Sequence, residues 1–249
     1  MLELYYWPTP NGKKVTILLE ELGVPYTLTP INIGRGDQFA SGFLKISPNN
    51  RMPAFVDTEP KGGGKPVTVF ESGAIMMYIA EKFGRFWPQE QAKKYDVVQW
   101  IMWQMGNQGP KFGEQGHFFR AAQDAKNGDL AYANTRFANE VHRLYGVMNL
   151  GLFGKRYLAA GEYTIADMIC YPWAAGWKLR KIDLDEFPNV KRWMEELESR
   201  PAVQRGMAAG ADYQEDPNAV PEEEKARRAK LLYNQRATPI PSDWSAAGQ

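Results

Sequence analysis

The chain has 249 residues, 44% of them hydrophobic and 13% aromatic, enough for buried cores in one large or two ordinary domains. Thirty basic against twenty-nine acidic side chains leave a formal net charge of +1, a balance that recommends neither nucleic acid nor a membrane surface as partner. One cysteine, Cys170, rules out an internal disulfide and a Cys-rich metal site, and His117 and His142 lack a neighbouring carboxylate pattern, so no metal is expected and a reducing cytosol fits.

Leu2–Tyr6 reads as a short apolar-aromatic strand. With Glu3 and no basic lead-in, the segment does not read as a secretory signal. Pro8-Thr9-Pro10-Asn11-Gly12 breaks the strand, and Val15, Leu18, Leu19 and Leu22 then recur at helical spacing until Gly23-Val24-Pro25 ends the helix. Tyr26–Ile31 is a second strand, Gln38–Ile46 a weaker helix, Ala54–Val56 the core of a third strand and Val67–Phe70 a fourth, after a Gly62-Gly63-Gly64 turn. Apolar residues at Ile75, Met76, Ile79 and Phe83 predict a helix over Ser72–Phe83 ending at Gly84. The order βαβαββα is that of a thioredoxin-like domain, placed at residues 1–86.

After Trp87-Pro88 the strand signals stop. Residues 90–213 read as a helical domain of long helices, with breaks expected at Gly106–Gly116, Lys126–Asp129, Gly161–Tyr163 and Asp183–Pro188. The uncharged stretch between Asp96 and Lys111 is too short and too polar to span a bilayer. Thr164-Ile165-Ala166-Asp167 fits a capping box opening an apolar helix, a folding signal. Cys170 on that helix reads as a buried, inert side chain. From Asp212 the chain becomes charged and proline-rich. Residues 214–249 read as a tail with one exposed helix at Pro221–Tyr233 and a polar end at Thr238–Gln249, expected to drape over a surface of the body or of a partner subunit.

Two runs carry the chemistry. Asn49-Asn50-Arg51-Met52-Pro53-Ala54-Phe55 reads as a turn ending in an X-Pro bond before a strand, and a cis peptide before Pro53 would leave the Met52 backbone free to pair with a peptide-like ligand. Glu71-Ser72-Gly73-Ala74-Ile75 opens a helix whose first N–H groups suit an anion. Together they imply a small peptide held by backbone at one end and by its carboxylate at the other, and glutathione is such a peptide.

These runs, paired with Pro8-Thr9-Pro10-Asn11-Gly12, resemble the cytosolic glutathione transferases, and among them the Nu class, a bacterial group with disulfide-bond reductase activity and fungal relatives in nitrogen regulation. The similarity covers roughly residues 1–210. The resemblance implies that Thr9 and Asn11, at the start of the first helix, activate the glutathione thiol, where hydroxyl and amide donors and the helix dipole favour an anion. Plain capping of that helix explains the same residues. Met52 is implied to pair with the cysteinyl portion beside Pro53, Glu71 and Ser72 to hold the γ-glutamyl amine and carboxylate, and Gln38 and Asn50 to lie near the glycyl end. Arg136 is implied to contact glutathione from the helical domain, a bidentate use for a guanidinium, although a solvated surface arginine fits its sequence equally. Tyr5 and Tyr6 lie within a strand and read as packing residues.

Trp100, Trp103, Gln104, Phe112, His117, Phe118 and Phe119 supply aromatic surface around the glycine-rich break, with Trp103, Phe112, His117 and Phe118 as candidate lining of a second-substrate pocket; the core is their alternative destination. The resulting expectation is a homodimeric enzyme that uses glutathione as co-substrate and its thiolate to reduce disulfides. Conjugation or aryl-ether cleavage of a hydrophobic electrophile, and a noncatalytic glutathione-binding regulatory module, are the alternatives.

Overall fold

A computed structural model describes residues 1–215, 219–233, 235–237 and 239–244. In chain order the elements are β1 (Leu2–Tyr6), α1 (Pro10–Leu22), β2 (Thr27–Pro30), α2 (Ser41–Ile46), β3 (Ala54–Asp57), β4 (Val67–Phe70) and α3 (Ser72–Phe83). The helices α4 (Gln91–Trp103), α5 (Gly109–Ala121), α6 (Ala131–Gly151), α7 (Ile165–Ala174), α8 (Pro188–Glu198), α9 (Pro201–Ala208) and α10 (Glu222–Tyr233) follow. They fall into two compact units: Met1–Gly12, Pro25–Glu71 and Gly210–Gln249 form a sheet unit, and Lys13–Val24 with Ser72–Ala209 form a helical unit.

In the sheet unit the strand order is β2-β1-β3-β4, with β1 parallel to β2 and antiparallel to β3, and β3 antiparallel to β4. Side chains alternate along a strand, so Leu2, Leu4 and Tyr6 share the buried face of β1, and Leu4 sits opposite Phe55. Tyr5 points the other way and packs on Phe43, its ring centroid 6.1 Å away. Both tyrosines are thus packing residues, as their strand position predicts. Ile31, Phe43, Met52 and Ala54 form a second buried cluster with Tyr5, Trp7, Ile33 and Ile46 against it. Gly12 is required at the β1–α1 turn, because a Cβ there would stand 2.6 Å from the Tyr6 ring and 2.5 Å from the Trp7 carbonyl oxygen.

The helix expected over Gln38–Ile46 is broken. Asp37–Phe39 forms a 3-10 turn and α2 starts at Ser41, with Ala40 extended between them. Just upstream, the Asn32 side chain accepts the Gly34 and Arg35 N–H groups, and the Asp37 carboxylate accepts the Asn32 N–H at 2.9 Å, fixing the loop that leads into the 3-10 turn.

The described part of the tail packs on this same unit. Tyr213 stacks on Trp7 at 6.2 Å, the Gln214 amide donates to the Pro8 carbonyl, and Arg227 of α10 donates to the Gly34 carbonyl. Leu231 lies over Gly36, and Trp244 donates to Ser41 Oγ. Of the polar end expected at Thr238–Gln249, Thr238 and residues 245–249 lie outside the described residues.

In the helical unit, α4 runs through a π-helical turn, Gln104–Gln108, directly into α5. The break expected at Gly106–Gly116 does not occur. Gly109 lies against the Gln104 side chain, whose Nε2 a Cβ would meet at 3.0 Å, and Gly113 lies beside the Trp173 ring at ordinary contact distance. The other expected interruptions fall between α-helices, at residues 122–130, 152–164 and 175–187. The capping box at Thr164 is present in full.

Candidate functional site

On the sheet unit, the turn before β3 is closed by the Asn50 N–H donating to the Ser47 carbonyl and the Ser47 hydroxyl donating to the Arg51 carbonyl, both at 2.9 Å. The Met52–Pro53 peptide is cis, and both residues are buried. Asn50 and Glu71 hold the left-handed region at φ 45° and 72°. Asparagine tolerates this conformation; for glutamate it is strained by about 1–3 kcal/mol, a cost found at ligand clamps. Asn49 donates to Glu71 Oε1 at 3.0 Å and so links the two runs that carry the sequence motif. Asn49 was within the motif but not among the expected ligand contacts.

Thr9 precedes α1, and its Oγ1 accepts the Gly12 N–H at 3.4 Å, a long capping bond. Its hydroxyl proton points at the Met52 thioether, 3.4 Å away. Thioether sulfur is a weak acceptor, so capping leaves this donor ready for a stronger partner such as a thiolate. Asn11 is half-buried on the first turn of α1. Gln38 is held within its own loop. Its side chain is buried, and its amide donates to the Ile33 carbonyl at 3.2 Å, fastening its own loop; its Oε1 is buried without a hydrogen-bond partner.

On the helical unit, Ser72 opens α3 and is buried. Its Oγ accepts from Lys14 Nζ at 3.1 Å, and its own proton points at Met105 Sδ, 3.4 Å away. Lys14 is 1% exposed and also donates to Gln104 Oε1 at 2.6 Å. The sequence reading missed Lys14 and Met105. A signal existed for the first, because Lys14 lies one turn before Leu18 on the apolar stripe of α1, where a solvated lysine does not belong.

Arg136 sits on the exposed face of α6 and pairs with Glu140 at 3.6 Å. Glu140 is held below the usual carboxylate range mainly by its hydrogen bond from Arg143, with Arg136 adding to the effect. The four candidate pocket residues separate. Phe112 is fully buried, stacked on Tyr145 at 5.3 Å with the Arg180 guanidinium 4.9 Å from its ring, so it belongs to the core and not to a substrate pocket. Gln104 and Trp100 are buried as well. Trp103, His117 and Phe118 are partly exposed; Trp103 meets Trp100 edge-on at 5.2 Å, and Phe118 stacks on Phe137 with His117 against its edge. Cys170 is fully buried, and burial pushes its thiol well above the ordinary range.

Among the described residues no group of His, Cys, Asp and Glu is arranged to hold a metal, and no helix is long and apolar enough to cross a membrane. The mixed four-stranded sheet in βαβαββα order with a helical second half defines a thioredoxin-like domain followed by an all-helical one. Residues 1–81 match the glutathione S-transferase N-terminal domain family, and residues 117–201 the glutathione S-transferase C-terminal domain family. The chain is 44% identical over 203 residues to the disulfide-bond oxidoreductase YfcG of Escherichia coli, covering 82% of this chain and 93% of that protein. A Burkholderia graminis glutathione transferase solved with two glutathione molecules per subunit superposes at TM-score 0.78 with 38% identity, covering 84% of this chain and 88% of the other. A Pseudomonas putida glutathione transferase solved with one glutathione disulfide per subunit superposes at TM-score 0.77 with 39% identity, covering 84% and 91%. The chain belongs to the glutathione S-transferase family.

Proposed function

We propose that this protein uses the thiolate of glutathione to reduce disulfides. The observation that carries the reading is the burial of Cys170, the one cysteine of the chain. A disulfide reductase without an accessible cysteine must take its thiolate from a ligand. The glutathione thiolate attacks one sulfur of the substrate disulfide, forming a mixed disulfide and expelling a thiolate; a second glutathione thiolate attacks the glutathione sulfur of that mixed disulfide, giving glutathione disulfide and the second reduced thiol. Protons lost by the two glutathiones are balanced by those the product thiols take up. The name of the E. coli relative and the glutathione disulfide bound in the P. putida structure support this choice of electrophile.

In this reading the Thr9 hydroxyl turns from Met52 Sδ to the thiolate, with Asn11 as second donor at the start of α1. The Met52 backbone beside Pro53 pairs with the cysteinyl part, Asn50 and the Gln38 loop face the glycyl end, and Arg136 adds a guanidinium contact. Glu71 takes the γ-glutamyl amine, and Ser72 takes its carboxylate. The partly exposed aromatic rings of Trp103, His117 and Phe118 favour a second reading, conjugation of a hydrophobic electrophile. We further propose a cytoplasmic homodimer with domain limits at residues 1–86 and 90–213.

The test is turnover of purified protein with glutathione against 2-hydroxyethyl disulfide, chlorodinitrobenzene and a β-aryl ether. Reduction of the first at rates well above the others is the expected result, and activity confined to the carbon electrophiles would select conjugation. Thr9→Ala should lower disulfide turnover by about 10–100-fold while leaving glutathione affinity comparatively intact, the signature of an interaction stronger with the thiolate than with the thiol. Asn11→Ala should impair both; unchanged turnover in the two variants removes them from the mechanism.

A further inference from the structure

A lysine ammonium has three donors and no acceptor. With Lys14 Nζ 3.1 Å from Ser72 Oγ, the serine oxygen is committed as acceptor on that side, and its own proton has to point elsewhere. It points at Met105 Sδ, a weak partner 3.4 Å away. Gln104 and Met105, which complete this cluster, begin the π-helical turn between α4 and α5. Such turns are rare and concentrate at functional sites. Gly73 keeps the arrangement close, since a Cβ there would meet Met105 Cγ at 3.0 Å and Ile101 Cγ2 at 3.1 Å.

Placing an ammonium in the interior carries a desolvation penalty that a methionine of similar length would avoid. What the lysine adds here is orientation and charge. We propose that Lys14 is a positioning residue for the γ-glutamyl carboxylate of glutathione: it locks the Ser72 hydroxyl as a donor and supplies the positive charge one hydroxyl behind the bound anion. On binding, the carboxylate replaces Met105 Sδ as acceptor of the Ser72 proton, and no proton is transferred. A carboxylate oxygen accepting from Ser72 would lie roughly 5 Å from Nζ, near enough for the charge to act through a poorly solvated path. This inference rests on the reading of Ser72 given above.

Calorimetry with two ligands tests it: glutathione, and 4-aminobutyryl-cysteinylglycine, the same peptide without the γ-glutamyl α-carboxylate. The wild-type protein should prefer glutathione by more than about tenfold, as a hydrogen bond to a charged group implies. Lys14→Met should erase most of that preference by weakening glutathione alone. Lys14→Gln, which keeps a donor but loses the charge and is the milder change should the first variant fold poorly, should erase part of it. Ser72→Ala serves as the reference. If Ser72→Ala keeps the wild-type preference, the carboxylate binds elsewhere and both readings fall. If Ser72→Ala loses the preference while both Lys14 variants keep it, or weaken the two ligands equally, Ser72 stands and the role of Lys14 is overturned.

Discussion

Asp167 shows how much one side chain can hold. Its Oδ1 accepts from the Leu158 N–H and Trp193 Nε1, both at 2.9 Å, and its Oδ2 from the Thr164 N–H at 3.1 Å. Burial nevertheless outweighs these donors and raises its pKa from the ordinary 3.8 to about 6. The folded state therefore binds this proton more tightly than the unfolded chain does. The associated stability is present below about pH 4 and is lost as pH rises through about 6, a change of about 3 kcal/mol. Asp167→Asn has no such titration and sets an amide donor against backbone donors, so it should be destabilising at every pH, by less at pH 7 than at pH 4.5. Urea denaturation at both pH values measures this; a gap that does not narrow would mean that Asp167 titrates as it does in the unfolded chain. Cys170, one turn further along α7, should tolerate replacement by alanine with disulfide turnover essentially unaltered, and a large loss of turnover would identify it as a nucleophile.

Among the elements, α1 and α9 approach closely within the helical unit. A Cβ on Gly206 would stand 2.5 Å from Ile17 Cα and 2.6 Å from its nitrogen, and Thr16 Oγ1 donates to the Gly206 carbonyl at 2.7 Å. The bidentate Arg200–Glu21 pair, 2.6 and 3.0 Å, and Arg205–Glu20 flank this contact. Gly206→Ala would gain about 1 kcal/mol in helix propensity. The obstacle is backbone, which cannot swing aside, and overpacking of this kind typically costs about 1–3 kcal/mol. The variant should therefore lose stability on balance, read as a lower denaturation midpoint; an unchanged or higher midpoint would mean that the two helices can separate freely.

At the scale of the whole molecule, the tail after Asp212 belongs to the sheet unit. Its described residues tie the Trp7–Pro8 turn, the Asn32–Asp37 loop and the start of α2 into one unit through Tyr213, Gln214, Arg227, Leu231 and Trp244. The Arg35–Glu215–Arg228 bridges lie at the surface and add little by themselves; the ring and leucine contacts carry the docking. Because Gln214 holds the carbonyl of Pro8, next to Thr9, deleting everything after Tyr213 should raise the Michaelis constant of the second substrate or weaken the proposed dimer. Steady-state kinetics and light scattering read these two effects, and a truncated protein identical to the full chain in both would make the tail a dispensable appendage.

Local chemistry made much of this legible in advance. The strand at Val67–Phe70, the helix at Ser72–Phe83 with Gly84 behind it, the capping box at Thr164 and the bond before Pro53 depend on residues close together in sequence, where propensity and capping act directly. Tertiary structure decided the rest, because those outcomes depend on partners far away in the chain. The glycines from Gly106 to Gly116 read as a break, yet the π-helical turn and α5 run through them, and Phe112 reads as pocket lining until Tyr145 and Arg180 enclose it. The position of Lys14 on the apolar stripe of α1 signals burial but names no partner. Its place beside Ser72 follows from Gln104, ninety residues further on, which accepts one of its protons at 2.6 Å in the interior, where a buried ammonium must be hydrogen-bonded.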